Sequence, residues 1–201
     1  FHALGVRIIR QEAKHCGLKP QFSILDASDT VQIVSDVAGD SDKGIAKQMQ
    51  WQISSWKNAM ISPDEAAQLA DNEIASVAAQ LYREYERTLR AYQAVDFDDL
   101  ISLPVRLFEE HPEVRERWQN RLRYLLVDEY QDSNLVQELL TTAVSGWINQ
   151  KKNIFMVGDV KQSIYRFRLA RPELFMEKYH RYSLEDSEEQ RIDLHKNFRS
   201  R

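Results

Sequence analysis

Through most of the first 120 positions, apolar residues recur at steps of three and four, and strand-like alternation is nearly absent. That spacing predicts amphipathic helices over 3–16, 44–60, 72–92, 97–110 and 112–122. Punctuation falls between them: Gly17 and Pro20 close the first, Ser62-Pro63-Asp64 opens a further short helix, and His111-Pro112 separates the last two. Trp51, Trp56, Tyr82, Tyr85 and Tyr92 fall on these segments and are expected to pack between helices rather than to stack on bases.

Beyond Arg121 the pattern changes. Short apolar runs at 124–127, 154–157 and 192–194 alternate with helical ones at 135–147 and 172–179. Strand, helix, strand, helix, strand with short links predicts parallel strands joined by helical crossovers, hence an open α/β sheet. Ligands of such sheets bind at the carboxyl ends of the strands. No internal repeat and no low-complexity segment interrupts the chain.

Composition narrows the class. The 201 residues are 43% hydrophobic, enough for one domain or two small ones. The apolar runs fall far short of the roughly 20 residues a membrane-spanning helix requires. The opening FHALGVRIIRQEAKHCG has the amphipathic, basic pattern of a helix rather than of a secretory signal, and its first residue leads us to expect an excised piece. A single cysteine, Cys16, allows no internal disulfide and no metal-site spacing, so a cytoplasmic protein is expected. The net charge of -4 argues weakly against a general polyanion binder. Its acidic excess, however, lies in residues 1–120, whereas basic residues dominate 151–181, as in a stretch that faces phosphates.

In RYLLVDEYQDSN, Asp128 and Glu129 follow four apolar residues, so two carboxylates emerge where a buried strand ends. Such a pair can hold Mg²⁺ and orient a nucleophilic water, the division of labour used by nucleotide hydrolases. Gln131 and Asp132 extend the cluster; the plainer reading is a helix start capped by Asp132, Ser133 or Asn134. NIFMVGDVKQSIYRFRLA repeats the geometry, ending in Gly158, Asp159, Lys161 and Gln162. One glutamine amide both donates and accepts, which suits Gln162 to sensing a terminal phosphate. Tyr165 and Phe167 interleave with Arg166 and Arg168, a composition that stacks bases and holds phosphates, or equally packs a core beneath solvated charges. IDLHKNFRSR ends with Asn197, Arg199 and Arg201; an arginine at a strand end can neutralise charge on a transferred phosphate, although arginines so placed usually lie on the surface.

Taken together and in this order, the blocks resemble the motifs of superfamily 1A DNA helicases of the UvrD/Rep type. VDEYQD at 127–132 resembles motif II, GDVKQSIYRFR at 158–168 motif III, and LHKNFRSR at 194–201 motif IV. FHALGVRIIR resembles the segment after motif Ia, and DFDDLI at 96–101 the element before motif II. Within the family, VGDVKQSIYRFRLARPELFMEKY is most similar to the AddA type of helicase-nuclease subunit, with the RecB type next. UvrD, Rep and PcrA relatives usually carry Trp at the Phe167 position and Gly at the Leu169 position.

The resemblance implies a partial RecA-like α/β domain: a start segment at 1–14, a helical insertion at 15–120, and the incomplete motor domain at 121–201. It implies ATP and Mg²⁺ as cofactors, with Asp128 as metal ligand, Glu129 as the base for the attacking water, Gln162 as a γ-phosphate contact and Arg199 as an arginine finger. Gln131 is expected at the nucleotide too, and His2, Tyr165, Phe167 and Arg168 at single-stranded DNA. The parent is expected to translocate 3′ to 5′ and unwind DNA during double-strand-break repair, with duplex DNA and an AddB-like second subunit as partners. No GxxxxGK[ST] phosphate loop occurs in these residues, so the chain alone is expected neither to hydrolyse ATP nor to cut DNA. Two other readings stay open: a DNA- or partner-binding module centred on the helical insertion, and an ATPase without helicase activity.

Overall fold

The computed structural model describes residues 1–39, 42–146, 152–159, 161 and 169–194. Its elements form a mixed α/β fold, mostly helical, with two short parallel sheets. No helix among the described residues is long and apolar enough to cross a membrane.

One core is closed by four consecutive helices, α2 (Ala27–Ala38), α3 (Lys43–Asn58), α4 (Pro63–Leu69) and α5 (Glu73–Ala91). The α2 segment carries Thr, Val and Ile, which lower helix propensity, and it was missed by the periodicity. Its ends decide it. The Asp26 carboxylate accepts from the Ser28 and Asp29 N–H groups, Asp29 reaches back to the Asp26 N–H, and Gly39 stops the helix at φ 66°. Ser62 and Glu65 make the same reciprocal cap for α4, with Pro63 in the first turn. Ile33, Val34, Met49, Ile53, Ala66 and Ala78 fill the space between, and Trp56 stacks on Tyr82 with ring centroids 6.0 Å apart. Of the five aromatics expected inside, Trp56, Tyr82 and Tyr85 are buried, but Trp51 and Tyr92 are 60% and 65% exposed. Trp51 faces outward from α3, and Tyr92 is the C-cap of α5, just past its last turn.

A second core joins elements far apart in sequence. α1 (His2–Gln11), α6 (Asp99–Glu110), α7 (Pro112–Arg121) and α8 (Leu135–Val144) bury Ile8, Ile101, Val105, Phe108, Val114, Trp118, Val136 and Leu140 against one another. α1 crosses α6 at Gly5, where a Cβ would lie 1.6 Å from the Leu100 carbonyl oxygen. Only a residue without a side chain permits that approach. Beside this crossing, β1 (Ser23–Ile24) pairs in parallel with β2 (Ala94–Val95), a ladder too short to leave an alternation in the sequence.

The second sheet pairs β3 (Leu125–Val127) in parallel with β4 (Ile154–Met156). Helix α8 makes the crossover, and α9 (Pro172–Arg181) follows β4. Leu126 opposes Phe155 across the ladder, and these two are 76% and 54% exposed. The alternate residue Val127 is buried. The strand expected to be buried is therefore bare on one face, because the side-chain period of two sends Leu126 away from the helices. The strand expected at 192–194 does not form: Ile192 and Leu194 are 65% and 84% exposed, and no described strand lies alongside to complete a ladder.

Candidate functional site

Backbone hydrogen bonds wrap the chain leaving β3 around the end of β4. The Val157 N–H donates to the Val127 carbonyl at 2.8 Å, and the Tyr130 N–H donates to the Val157 carbonyl at 2.9 Å. Between these anchors Asp128 and Glu129 form an exposed excursion at the carboxyl end of the strand. Glu129 adopts left-handed backbone, φ 51° and ψ 39°, and its N–H donates to Asp128 Oδ1 at 2.9 Å. For a residue with a Cβ this conformation costs about 1 kcal/mol or more, so the surroundings must impose it.

They do so through the next two residues. Tyr130 is 1% exposed; its hydroxyl donates to Glu138, which also takes the Lys178 ammonium. Burial, then the hydrogen bond and charge of Glu138, hold the Tyr130 pKa well above its ordinary value, so the phenol stays a donor. Gln131 is 4% exposed, and its Oε1 accepts from the Asp159 N–H at 3.0 Å, joining the loop after β3 to the loop after β4. Asp159 in turn accepts from the Lys161 N–H at 3.0 Å. Gly158 makes room for this join: a Cβ there would lie 2.6 Å from the Phe175 ring and 2.8 Å from Gln131 Oε1. The two carboxylates thus project from a rigid double loop, while Gln131 points inward and spends its oxygen within the protein. Beyond the loop, Asn134 caps α8 reciprocally with Gln137. That selects Asn134 from the three caps the sequence left open, and the cap coexists with the exposed acidic pair.

Just before the start of α6, Phe97 meets His2 edge to face, ring centroids 5.9 Å apart and planes at 78°. Phe97 is 51% exposed. Its neighbours explain it. Asp96 and Asp99 turn inward and exchange backbone-to-carboxylate bonds, the Asp99 N–H donating to Asp96 Oδ1 at 2.8 Å. Both meet Lys57, which is 2% exposed, at 2.8 and 2.6 Å, with Glu86 at 3.0 Å. One ammonium faces three carboxylates. Burial and then the charge of Asp96 push Asp99 up to about 8, whereas at Asp96 the effect of burial is outweighed by Lys57 and the pKa is lowered. Lys57 is held above its ordinary value by the same carboxylates, against the effect of its burial.

Among the described residues no group of three or more His, Cys, Asp or Glu is set to hold a metal ion. Asp128 alone still fits Mg²⁺, which usually takes one or two carboxylates and completes its shell with water and phosphate oxygens. The expected site residues Gln162, Tyr165, Phe167, Arg168 and Arg199 lie outside the described residues. The structure places Asp128, Glu129 and Gln131 together, and His2 at a separate surface with Phe97. Sequence reasoning missed Phe97, although the run DFDDLI, one ring among three aspartates, was its signal. It also missed Lys57, which an ordinary helical face conceals.

A family model described as UvrD/REP helicase N-terminal domain matches residues 1–183. The chain is 42% identical over 176 residues to the ATP-dependent DNA helicase Rep of Salmonella typhimurium, covering 86% of this chain and 26% of that protein. The Rep protein of Escherichia coli is 41% identical over the same shares. The ATP-dependent DNA helicase PcrA of Leuconostoc citreum is 38% identical over 174 residues, 85% of this chain and 23% of that protein. The chain thus spans about a quarter of the length of the curated relatives it matches.

Proposed function

Because the chain belongs to the UvrD/REP helicase N-terminal domain family, we propose that it forms part of the motor of an ATP-dependent DNA helicase. The observation that carries this reading is the acidic pair at the end of β3, held out by the left-handed Glu129 between two backbone anchors. In this reading Asp128 holds Mg²⁺, which neutralises charge on the nucleotide phosphates. Glu129 accepts a proton from the attacking water and needs a fixed direction to do so, which the buried Tyr130 and Gln131 supply. Gln131 acts by locking the two loops, and Gln162 and Arg199 contact the phosphates from later motifs. His2 and Phe97 offer ring faces to single-stranded DNA, joined by Tyr165, Phe167 and Arg168.

The helical insertion drawn at 15–120 has its own core in α2 to α5, whereas α6 and α7 share a core with α1 and α8. This supports assigning α6 and α7 to the motor domain and placing the insertion's far boundary near residue 95. The chain holds no phosphate loop, so by itself it is read as inactive, with the missing motif supplied by the rest of the protein. A second reading, an AddA-type helicase-nuclease acting in recombination with an AddB-like subunit, is favoured by Phe167 and Leu169, positions at which UvrD, Rep and PcrA types usually carry Trp and Gly. Exonuclease activity of the full-length protein on linear duplex DNA separates the two. In either case the protein works on intracellular DNA and belongs in the cytoplasm.

The deciding experiment is ATP hydrolysis by the full-length protein with and without single-stranded DNA. DNA-stimulated turnover that falls by about 10²-fold or more in Glu129→Gln supports the motor and its base. Turnover unchanged by the substitution removes Glu129 from that role, and hydrolysis indifferent to DNA leaves an ATPase without helicase activity.

A further inference from the structure

Between the acidic loop and the His2–Phe97 surface runs a chain of three side chains. Asn134, the N-cap of α8, donates through Nδ2 to Asn58 Oδ1 at 2.8 Å. Asn58, the last residue of α3, donates through Nδ2 to Asp98 Oδ1 at 2.7 Å and to the Ser54 carbonyl at 2.9 Å. Asp98 is the neighbour of Phe97, and Asn134 follows Glu129 of the acidic loop by five residues. The direction of both amides is fixed from the ends. Asn134 Oδ1 is taken by the Gln137 N–H at 3.0 Å, so only its NH₂ can face Asn58. The Ser54 carbonyl can only accept, so Asn58 must turn its NH₂ that way and its oxygen toward Asn134. Asn134 is 6% exposed, and a buried amide that lost this partner would be left unsatisfied.

Resting on the helicase reading, we infer that Asn58 is a positioning residue that couples the nucleotide loop to the DNA-facing ring. A shift of the loop after β3 moves the first turn of α8, and with it the Asn134 amide. Asn58 passes that shift to Asp98, and so to the backbone that sets the angle of Phe97 against His2. The neighbouring Lys57 grips Asp96 and Asp99 on either side, so the segment moves as a unit rather than bending at Asp98. Asn58 touches neither nucleotide nor DNA and acts only through this register.

The test uses the full-length protein, comparing wild type with Asn58→Leu, Asn134→Ser and the double variant. Serine keeps the cap of α8 but has no NH₂ to offer Asn58, so Asn134→Ser cuts the chain of bonds without unfolding the helix start. Readouts are ATPase without DNA, its stimulation by an oligothymidylate, and the affinity for that oligonucleotide with and without a non-hydrolysable ATP analogue. Each single variant is expected to keep DNA-free turnover within about twofold and to lose about tenfold of the stimulation, the ordinary size of a coupling between sites. The analogue's effect on DNA affinity should shrink in parallel, and the double variant should be no worse than either single one. Stimulation at wild-type level in Asn134→Ser, or additive losses in the double variant, overturns the inference. A wild-type enzyme whose ATPase ignores DNA overturns the helicase reading instead.

Discussion

Lys57 Nζ lies 2.8 Å from Asp96 Oδ2 with both side chains under 5% exposed, and this contact ties the end of α3 to the turn before α6. Removing the cation while keeping the volume, Lys57→Met, leaves the buried Asp96 carboxylate, with Glu86 nearby, without compensation. A broken buried ion pair costs about 3–5 kcal/mol. Chemical denaturation of the protein is expected to show a loss of that size. A loss under about 1 kcal/mol, the scale of a surface pair, would mean that water reaches the cluster.

The same cluster gives stability a pH dependence. In the folded protein Asp99 keeps its proton up to about 8, beside Asp96 and Asp98 on its own segment, Lys57 from α3, and Tyr85 and Glu86 from α5. In the unfolded chain an aspartate gives up its proton near the ordinary value of about 3.9. Between those limits the native state binds more protons, so this group's contribution falls steadily as pH rises, and it levels off above about 8. Melting temperatures of wild type and Asp99→Asn across that range should therefore converge or cross as pH rises. Parallel curves would assign the decline to other groups.

Gly5 sits where α1 and α6 touch backbone to backbone, and Gly5→Ala would bring a methyl group to 1.6 Å from the Leu100 carbonyl oxygen. The helices must separate, at a cost of about 3 kcal/mol. Because His2 rides on α1 and Phe97 precedes α6, the same substitution should weaken DNA binding. Thermal unfolding together with oligonucleotide binding checks both effects. An unaltered melting temperature would contradict the close crossing.

Phe97→Ala should weaken binding of single-stranded DNA by about 1–3 kcal/mol, the worth of one stacked base. Its side chain is 51% exposed, so little stability should be lost. Fluorescence anisotropy with a labelled oligonucleotide measures the first and a melting curve the second. Equal affinity with a lowered melting temperature would make Phe97 a packing residue.

The helices with the strongest periodicity were legible in the sequence because one apolar stripe predicts one buried face. α2 was not, since its helicity is set by Asp26, Asp29 and Gly39 at its ends rather than by its interior. The acidic pair was legible as a strand terminus, Asp128 and Glu129 after a short apolar run. What no pattern could reveal was partnership across the fold: Asn58 with Asn134, Lys57 with Asp96, Gly5 with Leu100. Each joins residues tens of positions apart, and nothing in either partner's own stretch of sequence points to the other. The strand expected at 192–194 failed for a related reason, because a strand exists only where another lies beside it.

The two cores also set an order of assembly. The helices α2 to α5 close their core within one continuous stretch, so they can settle as soon as they leave the ribosome. α1 emerges before them, yet Ile8 has no cover until α6, α7 and α8 have been made. At about 5–20 residues per second, that leaves one apolar helix face waiting several seconds or more. The apolar face of α1 therefore stays without its native cover across this interval, and any slowing of translation between residues 11 and 135 lengthens the exposure.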